Sequence, residues 1–312
     1  MTDLTIQAKN NPANHPQPRF RAEGGLFLCT FEAMASDCEI VLEGLDKAIA
    51  QGICEAIVIE TWRIEAKFSR YRKDNLIHAI NQGGVEVEID SETSALFEFA
   101  DQCYQASGGL FDITSGVLRR LWKFDGGTRV PSDSEREAIK QHIGWDKVAR
   151  TASTIRLQQG MEIDLGGIGK EYAVDRALLI AVQALSDRKA QSVLINFGGD
   201  LAATGARVSG EPWRVGIESA MRDNTAVARI ELYGGAIATS GNANRYVIYC
   251  GRKLPHILNP ITAWPVEGAP SGVSVAAPSC LHAGMLSTLS MLQGAEAESF
   301  LQRQGVQYWL QM

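Results

Sequence analysis

The chain of 312 residues carries 30 Lys and Arg against 36 Asp and Glu, a formal net charge of -6, with 45% hydrophobic residues. That is enough apolar material for a sizeable core in one large domain or two, and it excludes a disordered or fibrous chain. No long block of Lys or Arg occurs and no apolar run approaches the ~20 residues of a membrane span, which argues against nucleic acid and membrane insertion and leaves small molecules or proteins as partners.

Residues 1–24 are polar and rich in Asn, Pro and Gln, without the apolar core of a secretory signal, and read as a flexible tail. Residues 26–31 and 38–42 predict two strands, pairing as a hairpin across Ala33-Met34-Ala35-Ser36-Asp37. Ile49, Ile53, Ala56, Ile57 and Ile64 recur at helical spacing and predict a helix over 46–67, with Gly52 its weak point. A short helix over 75–81 and a strand over 85–89 follow. Ser91 then caps a helix to about Ala106, which ends at Gly108-Gly109.

Leu118, Leu121, Trp122 and Phe124 form an apolar stripe that reads as core. A loop at 128–132 leads to a charged helix over 134–143 and a strand over 154–158. The six cysteines, Cys29, Cys38, Cys54, Cys103, Cys250 and Cys280, are scattered with no CxxC pair. Reduced, mostly buried thiols fit that spacing better than disulfides or zinc, which points to the cytoplasm.

The stretch Glu162-Ile163-Asp164-Leu165-Gly166-Gly167-Ile168-Gly169-Lys170 reads as a buried strand end, a glycine turn and the start of a helix reaching about Leu185. Its glycines allow close backbone approach, free N–H groups at a helix head attract phosphate, and Lys170 adds a positive charge. Such turns also serve simply to pack a helix against a sheet, and these residues leave both readings open. The common nucleotide fingerprints do not fit: no Ser or Thr follows Lys170, and the glycine spacing is not that of a dinucleotide turn.

An apolar strand over 192–197 stops at Gly198-Gly199-Asp200, and strands over 213–217, 226–232, 236–239, 245–250 and 272–276 follow. Helices over 281–292 and 296–304 and a strand over 306–310 complete the chain. So many short strands with few crossover helices predict an α+β fold with largely antiparallel or mixed sheets and flanking helices. One domain over 25–312 is expected, with two lobes meeting near 126–132 as the alternative.

Several of these segments, taken in order, resemble the ApbE family of FAD:protein FMN transferases. Met34-Ala35-Ser36 is similar to the family's Met-Gly-Thr, Phe68-Ser69-Arg70-Tyr71 through Asn81 to its Ser-x-Tyr…Asn segment, and Gly109-Leu110-Phe111-Asp112-Ile113-Thr114 to Gly-x-Phe-Asp-x-Thr. Residues 164–175 resemble Asp-Leu-Gly-x-x-x-Lys-Gly-x-x-x-Asp, and residues 196–200 its Gly-Gly-Asp. Thr239-Ser240-Gly241, His256-Ile257-Leu258-Asn259-Pro260 and the helix carrying Thr288 complete the series.

The resemblance implies FAD with its pyrophosphate near the 164–170 turn and its isoalloxazine near Met34 and Tyr71. Its binding set is Met34, Tyr71, Asp112, Asp164, Gly166, Gly167, Lys170, Ser240, Gly241 and His256. It implies Mg²⁺ held by the Gly167 carbonyl, by Thr288 and by an Asp one helical turn earlier, acting as a Lewis acid on phosphorus. A target threonine on an acceptor protein then displaces AMP and keeps FMN as a phosphoester, with His256 and Thr288 as the catalytic residues and His256 taking the proton.

The chain departs from the family at three positions. In Ala283-Gly284-Met285-Leu286-Ser287-Thr288, Gly284 stands where the family has the metal-binding Asp; Glu171 replaces a glycine; and Ala263 replaces the usual glycine after Thr262. Loss of an anionic ligand weakens the hold on a hard cation. Two functions therefore stand: a metal-assisted flavin transferase, and an FAD-binding or FAD-hydrolysing homologue with weakened or lost transfer.

Overall fold

The computed structural model describes residues 4–5, 15–185, 191–218, 226–241 and 245–312. Among these, nine strands form one sheet in which each lies beside the next strand of that sheet in the chain. They are β1 (Leu4–Thr5), β2 (Arg19–Glu23), β3 (Leu26–Ala33), β4 (Ser36–Glu43), β5 (Ser192–Phe197), β6 (Asp200–Ala203), β7 (Gly235–Gly241), β8 (Gly272–Ala277) and β9 (Gln307–Gln311). Every strand pairing among the described residues is antiparallel, as the run of short strands predicts.

The helices enter as insertions into this meander. Between β4 and β5 come α1 (Lys47–Phe68), α2 (Leu76–Asn81), α3 (Ser91–Ala106), α4 (Asp133–Lys140) and α5 (Gly169–Leu185); between β8 and β9 come α6 (Cys280–Leu292) and α7 (Ala297–Gln304). Strand alternation sends Cys38, Ile40 and Leu42 into the large core shared with α1, α5 and α6, while Val41 joins Leu194, Leu201 and Ile237 under a hairpin of Trp213–Glu218 and Ala226–Leu232. Both faces of the sheet are thus covered, and each fully buried Ile or Leu contributes about 1.5–3 kcal/mol. None of the helices among the described residues is long and apolar enough to cross a membrane.

The structure corrects several sequence expectations. Arg19–Glu23, inside the expected tail, is a sheet strand: Phe20 is 1% exposed and stacks on Phe27 with ring centroids 5.5 Å apart. Leu4–Thr5 of the same tail pairs with this strand, and residues 1–3 and 6–14 lie outside the described residues. Asp90, not Ser91, caps α3, its carboxylate accepting the Thr93 amide at 3.0 Å. The strand expected over 85–89 shrinks to Val87–Glu88, because only those two residues find a partner strand.

The expected strand end at 162–165 makes no ladder at all. Its backbone is held instead by a side chain: Asn81 accepts the Ile163 amide at 2.8 Å and donates to the Ile163 carbonyl at 3.0 Å. The Asp164 amide is satisfied by the Ile113 carbonyl at 2.8 Å. This segment can therefore follow the course that the site needs rather than the plane of a sheet.

Candidate active site

Sheet register gathers several chain reversals at one edge. Ala33 pairs with Ser36 across the Met34-Ala35 turn, Cys38 pairs with Phe197, Phe197 with Asp200, and Gly241 with Gly272. The turn at 34–35, the turn at 198–199 and the end of β7 consequently lie together, and the first turn of α5 meets them. Met34 and Ala35 have φ of 53° and 56°, a left-handed two-residue hairpin turn that usually takes Asn and Gly.

A cleft of about 510 Å³ opens here, within the size range of small-molecule sites. Of the expected binding residues it is lined by Met34, Tyr71, Asp164, Gly166, Lys170 and His256; Ser36, Ser69 and Arg70, part of the motif segments but not assigned to binding, line it too, as does Arg245, which no motif contains. Tyr71 is 76% exposed at the rim, with the Arg70 guanidinium 4.8 Å from its ring centroid and donating to its hydroxyl at 2.7 Å. Arg70 also pairs with Asp164, whose other oxygen accepts the Gly166 amide at 2.9 Å.

A second hollow of about 860 Å³ lies near Val130, Arg136 and Trp264. None of the expected binding residues lines it, and its cation, Arg136, pairs with Asp133 and stacks 4.7 Å over Trp264.

The glycine turn is less open to anions than its sequence suggests. The amides of Ile168 and Gly169 both donate to the Leu165 carbonyl, at 3.0 and 2.7 Å, and the Gly166 amide is taken by Asp164. Among the described residues the amides of Gly167 and Lys170 have no protein acceptor. Gly167 packs on Phe111, which a Cβ would meet at 3.3 Å, and Gly116 gives Asp164 its room, since a Cβ there would come within 2.6 Å of the Asp164 Cβ.

Lys170 is tethered rather than free. Its ammonium lies 2.9 Å from Asp200 and donates to the Gly198 carbonyl at 3.2 Å. Asp200, 1% exposed, also accepts the Thr239 amide at 3.1 Å. One residue on, the Ser240 hydroxyl stands 3.1 Å from that of Thr288 and 2.9 Å from that of Ser287. This chain of contacts carries the 164–170 turn through β6 and β7 to Thr288, so the two segments share one region.

Asp112, Gly167, Ser240, Gly241 and Thr288 are not among the residues that line the cleft. Asp112 is buried and fully used, accepting the Thr114 amide and hydroxyl at 2.7 and 2.6 Å and the Trp145 amide at 3.1 Å. It positions Ile113 and, through it, Asp164. Asp175 has a similar structural use, accepting the amides of Cys280 and Leu281 at 2.7 and 2.9 Å and so fixing the start of α6 against α5.

His256 faces the cleft with its Nδ1 sealed from water and without a hydrogen-bond partner. Burial, and next the positive charge of Arg245, hold it below the usual histidine range, so the imidazole is neutral near pH 7. Glu171 moves the other way: burial, and next the charge of Asp200, push its carboxyl well above the carboxylate range. Ala263, buried at φ 52°, shows why glycine suits that position; its carbonyl accepts the Trp122 indole at 3.0 Å.

An antiparallel α+β fold with a cationic cleft, an aromatic rim and a neutral histidine defines a nucleotide-cofactor-binding class. A sequence model of the ApbE family matches residues 34–310, and the chain belongs to that family. It is 26% identical over 312 residues to the FAD:protein FMN transferase of Escherichia coli K12, covering 95% of this chain and 86% of that one. It is 28% identical over 240 residues to the Vibrio cholerae FAD:protein FMN transferase, covering 75% and 71%. The crystal structure of the Thermotoga maritima ApbE protein superposes with a TM-score of 0.81 at 31% identity, over 91% of this chain and 94% of that one. The apo flavinyl transferase ApbE of Pseudomonas stutzeri gives 0.77 at 26% identity, over 91% and 90%.

Proposed function

We propose that this chain is an FAD:protein FMN transferase, binding FAD in the cleft and moving FMN to a threonine hydroxyl of an acceptor protein with release of AMP. The observation that carries this reading is the convergence in one cleft of Met34, Tyr71, Lys170, Arg245 and His256 from distant segments of a chain matching the family over 34–310. Met34 and Tyr71 offer a polarizable thioether and an aromatic face to a flavin. Lys170, Arg245 and the amides of Gly167 and Lys170 offer charge and donors to the pyrophosphate.

In the reaction the threonine oxygen bonds to the phosphorus of the FMN half. The bond from that phosphorus to the bridging oxygen breaks, and AMP leaves with the bridging oxygen. His256, neutral and facing the cleft, accepts the hydroxyl proton and passes it on to the departing phosphate or to water.

The oxygen donors present suit a divalent cation, Mg²⁺ in this reading. Among the described residues no three His, Cys, Asp or Glu side chains group as a metal site, so hydroxyl, carbonyl and phosphate oxygens must supply much of the shell. Thr288 and the Gly167 carbonyl are assigned to it, and Oε2 of Glu171 is sealed with no hydrogen donor, as a hard cation's ligand would be. When bound, the ion polarises the pyrophosphate as a Lewis acid. Five buried free thiols suit a reducing compartment, and we read the localisation as cytoplasmic.

The test is incubation with FAD, Mg²⁺ and a candidate acceptor domain, followed by denaturation. Flavin fluorescence on the acceptor, with AMP released in equal amount, is the expected result. FAD bound without transfer would make the chain a binder, and free FMN would make it a pyrophosphatase.

A further inference from the structure

Glu171 and Gly284, two of the positions at which the chain departs from its family's pattern, touch in space. A Cβ on Gly284 would stand 2.5 Å from Cγ of Glu171, 3.0 Å from its Oε1 and 3.1 Å from its Cδ, so a side chain there requires the Glu171 side chain to move. The volume beside Gly284 therefore belongs to the Glu171 side chain. The register is fixed independently: Asp175, one turn along α5 from Glu171, binds the amide of Cys280, one turn before Gly284 on α6. The two helices run antiparallel with Glu171 opposite Gly284.

Oε2 of Glu171 is cut off from solvent and has no hydrogen-bond partner, although buried polar atoms almost always have one. That oxygen meets neither a donor nor an acceptor of the protein, and a cation bound there would supply the missing partner and hold the group in its ionised form. The cation adjacent to Glu171 in the chain, Lys170, has its ammonium on Asp200 at 2.9 Å. Asp175 and Asp200 add negative charge nearby, and Cys280 is buried beside them. Thr288 lies one turn beyond Gly284 on the same face of α6, its hydroxyl 3.1 Å from Ser240.

We infer that Glu171 supplies the anionic oxygen of the cation site, reaching from α5 into the place that a side chain on residue 284 of α6 would otherwise fill. This rests on the transferase reading, since phosphate oxygens of FAD would complete the ligand shell. Glutamate on α5 and aspartate on α6 are then alternative and mutually exclusive ways of delivering one carboxylate to one point.

The test measures Mn²⁺ binding to the full chain by electron paramagnetic resonance, alongside FAD affinity in metal-free buffer from flavin fluorescence quenching. Wild type is expected to bind both. Glu171→Gln, of the same shape, should keep its unfolding temperature and metal-free FAD affinity while Mn²⁺ affinity falls on the order of tenfold or more. The pair Glu171→Gly with Gly284→Asp should restore Mn²⁺ binding, whereas Gly284→Asp alone should lower the unfolding temperature and gain no affinity. Unchanged Mn²⁺ binding in Glu171→Gln, no Mn²⁺ binding by a wild type that does bind FAD, or tighter Mn²⁺ binding by an undiminished Gly284→Asp would each overturn the inference. A folded wild type that binds no FAD would instead overturn the transferase reading and, with it, this one.

Discussion

The Asp175 carboxylate accepts the amide hydrogen of Cys280 at 2.7 Å, capping one helix with a side chain from another. The Leu281 amide joins it at 2.9 Å, while the local cap, Ser279, reaches the His282 amide only at 3.4 Å. Asp175→Ala should cost about 1–2 kcal/mol, the upper part of the range for a lost helix cap. Urea denaturation of Asp175→Ala beside Asp175→Asn, which keeps one acceptor oxygen, measures it. Equal stability in all three proteins would show that Ser279 suffices.

Lys170 and Asp200 make a pair in which the carboxylate is 2% exposed and the ammonium side is 26% exposed. Removing one partner of a buried pair leaves an uncompensated charge, at a cost of about 3–5 kcal/mol, and the partial exposure of Lys170 puts Lys170→Met near the lower end. Lys170→Met with Asp200→Asn should recover much of that loss in a denaturant titration, yet FAD affinity should stay low in both. Recovery of FAD binding by the double variant would mean that the lysine charge does not serve the phosphates.

The Met34-Ala35 turn is strained. A left-handed backbone costs an L residue roughly 1–2 kcal/mol, and the greater unfolded freedom of glycine returns about 0.5–1. Ala35 is exposed and packs against little, so Ala35→Gly should stabilise the chain by about 0.5–1 kcal/mol. A shift of the urea midpoint upward at constant slope is the expected sign.

The pH dependence of transfer should follow His256. Its pKa is lowered, so the base form persists below the ordinary histidine value and the acid limb of the rate should lie below about pH 6.5. Arg245→Gln removes the second cause of that shift and should move the limb upward, measured as single-turnover rate at saturating FAD. His256→Gln should abolish the limb and slow transfer roughly 10²–10⁴-fold.

Much of this was legible in the sequence for identifiable reasons. The continuous apolar run over 192–197 revealed β5 because that strand is buried on both faces, and 3.6-residue spacing revealed α1. Arg19–Glu23 escaped because its one fully buried side chain, Phe20, sits among charged residues that resemble a tail. Residues 162–165 looked like a strand end because Ile163 and Leu165 alternate with Glu162 and Asp164, but their hydrogen bonds go to Asn81 and Ile113, partners that no local pattern displays. Asp112 and Asp175 were visible as motif residues, yet their work is to hold Trp145 and Cys280 in place. Glu171 and Gly284 were each visible as departures; only the antiparallel register of α5 and α6 makes them one feature.

The most direct measurement is the transfer reaction run in ¹⁸O-labelled water with FAD, Mg²⁺ and an acceptor domain. Attack by a threonine oxygen predicts flavin on the denatured acceptor, an equal amount of AMP, and no solvent oxygen in either. Labelled FMN or AMP without acceptor-bound flavin would contradict it.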